Sequence, residues 1–118
     1  MLIIYGIPNC DTMKKAFDWL KARGVAYRFH DYKQSGIDAA HVEAWIHKAG
    51  LDQVLNKVST TFKALPENVR KDVTQEAAIA LMTAQPSMIR RPLIDINDHI
   101  LTGFKPAAIA RLEAELGL

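Results

Sequence analysis

One cysteine among 118 residues leaves this chain unable to form an internal disulfide. No apolar run approaches the ~20 residues that a membrane span requires. The N-terminus lacks a basic segment followed by a long apolar core and a small-residue cleavage site, so no signal peptide is read. A reducing cytoplasm is the compartment this combination predicts. Basic residues are interleaved with acidic ones and the net charge is only +2, which excludes an electrostatic nucleic-acid surface. His30, His41, His47 and His99 show neither HxxxH nor HExxH spacing, and one cysteine cannot complete a zinc pattern, so no metal site is expected. There is no GxGxxG, no P-loop, no internal repeat and no flexible linker.

What is present is an ordinary single-domain composition, 49% hydrophobic and 24% charged, over residues 1–118. The first residues, Leu2 to Tyr5, read as a buried strand broken by Gly6 and Pro8. From Asp11 to Arg23 the pattern turns helical, with Met13, Ala16, Phe17 and Leu20 on one face and Gly24 as the stop. Ala26 to Tyr32 alternates and is rich in aromatics, so it reads as a second strand parallel to the first. Residues 37–85 are helical in character throughout and form an insertion. Leu93 to Ile96 and His99 to Thr102 form a hairpin about the Asn97–Asp98 turn, and Pro106 opens a last amphipathic helix. The order βαβ, helical insertion, ββα predicts an α/β thioredoxin-like fold, with a four-stranded mixed sheet covered by helices.

The cysteine is Cys10, at the junction of the first strand and the first helix. Free backbone N–H groups and the positive end of the helix dipole stabilise a thiolate there. The competing reading is a small buried hydrophobe. The turn-forming and polar neighbours Pro8, Asn9, Asp11 and Thr12 favour an exposed element end, and hence chemistry. Lys14 and Lys15, one turn on, read first as solvated helix cations. Arg91-Pro92 opens the third strand, where a cis bond would face the thiol of such a fold. Arg91 would then carry a cation to the Cys10 pocket, while Arg90 reads as an ordinary surface arginine.

Tyr5-Gly-Ile-Pro-Asn-Cys-Asp-Thr-Met-Lys-Lys-Ala16, Tyr27-Arg-Phe-His-Asp-Tyr32, Arg91-Pro-Leu93 and Gly103-Phe-Lys-Pro106 resemble the ArsC/Spx family, and within it the YffB-like branch. The resemblance covers nearly the whole chain, insertion included. It implies a single nucleophilic cysteine, matched by Cys10, acting through a mixed disulfide with glutathione as co-substrate and no bound cofactor. Arsenate reductases of the family hold their oxyanion with three arginines and pass through glutathione and glutaredoxin. Arg91 matches one of these arginines, whereas the other two positions are held by Asn56 and Lys105. Asparagine has no charge and lysine no guanidinium fork, so reduction of arsenate is expected to be poor.

Catalysis is therefore expected from Cys10 and Arg91, with Asn9, Asn56, Pro92 and Lys105 as substrate-binding positions. The expected partners are glutathione and a small thiol, disulfide or oxyanion substrate, with glutaredoxin as a further candidate. A monomer without membrane or nucleic-acid contact is expected. The alternative that the resemblance raises is an Spx-like regulator that binds RNA polymerase. Many of those carry a CxxC switch, and here its second position is Met13.

Overall fold

A computed structural model describes residues 1–118. The chain forms two compact units. One comprises Met1–Ser35 and Arg91–Leu118, the other Gly36–Arg90.

The first unit is built on four strands, β1 (Leu2–Gly6), β2 (Tyr27–Asp31), β3 (Leu93–Ile96) and β4 (His99–Thr102), in the spatial order β2-β1-β3-β4. β1 runs parallel to β2 and antiparallel to β3, and β3 and β4 are antiparallel. Helix α1 (Asp11–Ala22) makes the crossover between the parallel strands, as a right-twisted βαβ unit requires. Side chains alternate across a strand, so Leu2 and Ile4 of β1 project to one face. There they join Met13, Ala16 and Leu20 of α1, Ile94, Ile96 and Leu101 of the hairpin, and Leu112 of the last helix, α8 (Pro106–Leu116). Burying about 25 cal/mol per Å² of apolar surface makes this cluster the main source of the unit's stability.

Two local devices fix the frame. At Gly6 an added Cβ would lie 2.5 Å from the Met13 Sδ, so the missing side chain makes room for the buried end of Met13. Asn97 and Asp98 both adopt left-handed backbone, φ 50° and 66°, which is the two-residue turn that matches the twist of a hairpin. The second strand is shorter than its sequence pattern. It ends at Asp31, and Tyr32 opens a single helical turn, α2 (Tyr32–Ser35), because the Asp31 carboxylate accepts from the Lys33 N–H and turns the chain.

The second unit is helical: α3 (Ala39–Ala49), α4 (Leu51–Val54), α5 (Thr60–Lys63), α6 (Glu67–Lys71), α7 (Gln75–Ala84) and a 3₁₀ turn at Pro86–Met88. α3 packs against α4 and α7, and the 3₁₀ turn against α5 and α7. Asp38, Ser59 and Thr74 cap α3, α5 and α7 by accepting backbone N–H groups. The unit reaches beyond Gln85 because Ile89 bridges to Leu55, and the Arg90 N–H donates to the Val54 carbonyl. Arg90 is also more than the surface arginine its sequence context implies. Its guanidinium donates to the carbonyls of Gln53 (3.1 Å) and Asp52 (3.2 Å), tying the α4 turn to the end of the unit. No helix is long and apolar enough to cross a membrane.

Candidate active site

Cys10 is the N-cap residue of α1. Its backbone is extended (φ −144°, ψ 130°) and its carbonyl accepts the first helical bond, from the Lys14 N–H at 2.9 Å. Its side chain makes no capping hydrogen bond. The thiol is half-buried, with one side packed against the core cluster of the first unit. As the N-cap residue Cys10 precedes the first-turn amides of α1, which have no acceptor within the helix, and Asp11 is the one acidic residue of that turn.

A shallow, open depression beside Cys10 is lined by Pro8, Asn9, Asp11, Lys14, Phe17, Asp18 and Lys21. Phe17 packs against Tyr27 and Phe29 at ring separations of 5.7 Å and 5.0 Å.

The strand order gathers the other candidates of the first unit at the same end of the sheet. The carboxyl ends of β1, β2 and β4 and the start of β3 all lie there. Tyr5 is paired with Leu93, the residue that follows Pro92. The Arg91–Pro92 peptide is cis, the conformer that the order of elements implied. Pro92 is tied to the end of β4 by a bond from the Gly103 N–H to the Pro92 carbonyl, 2.9 Å. Lys105 follows as the N-cap residue of α8, with its side chain exposed. Asn56 belongs to the other unit. There its Oδ1 accepts from the Val58 N–H (3.1 Å) and its own N–H donates to the Met88 carbonyl (2.8 Å), so it shapes its own loop.

Tyr32 is a residue that the sequence pattern disguised as the last position of a strand. It is buried, and its hydroxyl has no hydrogen-bond partner. It stacks with Tyr5 at 6.5 Å and meets the His30 ring edge-on at 5.9 Å. Burial, and then the neighbouring Tyr5, push its phenol far above the ordinary range, with the Arg91 cation opposing them. Tyr32 is therefore neutral at all working pH. Arg91 makes no ion pair within the protein, so its guanidinium is free to bind an anion.

A thioredoxin-like domain is thus defined, with one thiol at the N-cap of its first helix and a cis-proline opening the antiparallel strand beside it. The chain belongs to the ArsC family, whose model matches residues 5–112. It is similar to a solved YffB protein at 49% identity, over 94% of this chain and 97% of that one, with a TM-score of 0.88. An arsenate reductase related protein from Brucella melitensis matches at 46% identity, over 99% and 95% of the two chains, with a TM-score of 0.77. Among curated relatives, the regulatory protein MgsR of Bacillus subtilis is 26% identical over 94% of this chain and 89% of its own. The chain is thus similar both to a protein described as related to an arsenate reductase and to one described as a regulator.

Proposed function

We propose that the protein is a glutathione-dependent thiol reductase in which Cys10 works alone. The observation that carries this reading is the pair of positions 10 and 13. A half-buried thiol occupies the N-cap, and the place of a second thiol three residues on is filled by Met13, fully buried against Gly6. A single thiol forms a mixed disulfide but has no internal partner to resolve it.

The cycle then needs an external thiol. Cys10 thiolate attacks the glutathionyl sulfur of a mixed disulfide, forming a new S–S bond and releasing the substrate thiolate. A free glutathione thiolate attacks the Cys10 adduct, restoring Cys10 and leaving as glutathione disulfide. Each turnover consumes one glutathione thiol: the glutathionyl group of the mixed disulfide and the incoming glutathione leave together as glutathione disulfide, and the substrate leaves as a thiol. Arg91, unpaired at the same end of the sheet, is suited to hold a glutathione carboxylate. Asn56 and Lys105 supply no guanidinium, so the grip on a tetrahedral oxyanion is weak and arsenate is a poor substrate.

Mass spectrometry after incubation with oxidised glutathione tests the reading. The wild type should gain one glutathionyl group and Cys10→Ser none. Turnover of a glutathione mixed disulfide should be lost in Cys10→Ser and reduced in Arg91→Ala. Brisk arsenate turnover by the wild type would overturn the reading of Asn56 and Lys105.

The similarity to a regulatory protein supports a second reading, a regulator that binds RNA polymerase without a CxxC switch. Mixing with the C-terminal domain of the polymerase α-subunit separates the two. A complex formed by both wild type and Cys10→Ser, without thiol turnover, would favour the regulator.

A further inference from the structure

The connection between α5 and α7 is built unlike the rest of the second unit. Phe62 of α5 and Ala78 of α7 are buried, but none of residues 64–74 between the two helices is. Within that stretch α6 (Glu67–Lys71) buries no residue, and its N-cap, Pro66, makes no capping bond from a side chain. A helix of five residues has no stability of its own without a packed face. Only Leu65, Val69 and Val73, spaced four apart, are even half-buried. The hydrogen bonds of the stretch are local. Its backbone bonds reach four residues at most, and the Arg70 Nε donates to the Leu65 carbonyl at 3.0 Å. The bonds that close the unit lie elsewhere, between Asn56 and Met88, Val54 and Arg90, and Thr61 and Ser87. α5 and α7 both pack against the 3₁₀ turn at Pro86–Met88, so one framework holds both ends of the connection.

We propose that residues 64–74 form a strap that opens while the rest of the second unit stays folded, and that a protease cutting after basic residues enters the native protein there, at Arg70 or Lys71. Cleavage is hydrolysis: water adds across the peptide bond after one of these residues, leaving a new carboxylate and a new amine. Exposure of a basic side chain is not sufficient for such a cut, because the protease needs unfolded backbone around it. Lys14, Lys15 and Lys21 are as exposed as Arg70, but they lie on α1, which cannot open without uncovering Met13, Ala16 and Leu20. Opening the strap breaks only local bonds and uncovers three half-buried side chains. Nothing in this device depends on the chemistry of Cys10.

Limited digestion with trypsin and native-state hydrogen exchange test it. The first cut should fall after Arg70 or Lys71. The hydrogen-bonded amides of Val69 and Arg70 should be at least about a hundredfold less protected than those of Trp45 and Ile46 in α3. Val69→Ala removes part of the strap's cover and should speed the first cut about three- to fivefold, because cleavage follows the population of the open form. Arg90→Ala weakens the unit at its other end and should leave that rate unchanged. Were the cut to require unfolding of the whole unit, Arg90→Ala would speed it about five- to thirtyfold. That acceleration would overturn the strap. So would a first cut elsewhere in the chain, equal protection of the Val69 and Ile46 amides, or a Val69→Ala rate equal to that of the wild type.

Discussion

Gly6→Ala is the substitution whose cost the structure states most directly. A methyl group built on Gly6 would stand 2.5 Å from the Sδ and 2.7 Å from the Cε of Met13. Carbon and sulfur in contact need about 3.5–4.0 Å, so the end of Met13 has to move by roughly 1 Å. Methionine is flexible, but Met13 is 0% exposed and surrounded by core side chains, so the movement displaces its neighbours. Overpacking of this kind costs about 1–3 kcal/mol. Met13→Ala alone opens a cavity and costs about 2–5 kcal/mol. In the double variant the alanine methyl at position 6 enters space that Met13 has left. Its cost should vanish, giving a coupling of at least about 1 kcal/mol between the two sites. Urea unfolding followed by Trp19 fluorescence in a Trp45→Phe background reports on the first unit. With a slope of about 1–3 kcal/mol per molar urea, Gly6→Ala should lower the midpoint by roughly 1 M. A strictly additive double variant, or a Gly6→Ala cost within about 0.5 kcal/mol of zero, would refute the tight contact between position 6 and the end of Met13.

Tyr32→Phe removes a buried hydroxyl that has no partner, and should raise stability by about 1 kcal/mol in the same unfolding assay. Glu115 accepts from the Asn97 side chain at 3.0 Å and pairs with His99 at 2.5 Å; Asn97 first, then His99, holds its carboxyl below the ordinary value of 4.5. A carboxyl depressed in the folded state contributes stability that is present above its unfolded value and is lost as pH falls through its folded value. Glu115→Gln should therefore be less stable than the wild type at neutral pH, and thermal unfolding should show the gap closing as the pH falls below about 4.5. Arg90→Ala breaks two bonds to the α4 carbonyls and should cost about 1–2 kcal/mol. Fluorescence of Trp45 should record that loss, and Trp19 should not.

Much of this molecule is written in its local sequence because the governing interactions are local. Glycine and proline positions end the first strand and start the last helix. Spacing of Met13, Ala16 and Leu20 forces α1, and Asn97-Asp98 forces the hairpin. Cys10 at a strand-to-helix junction is equally local, since an N-cap is defined by the few residues around it. Alternation continues through Tyr32, and only the Asp31 bond to the Lys33 N–H turns the chain out of the strand there. What residues far apart in sequence do together required the tertiary structure. Strand register sets Leu93 opposite Tyr5, and the tertiary structure brings the Arg91 charge to bear on Tyr32. The sequence shows the charges of α1 as an ordinary solvated face. Only the tertiary structure packs Phe17 of that helix on Tyr27 and Phe29, because burial is a property of three-dimensional contact and not of spacing along the chain.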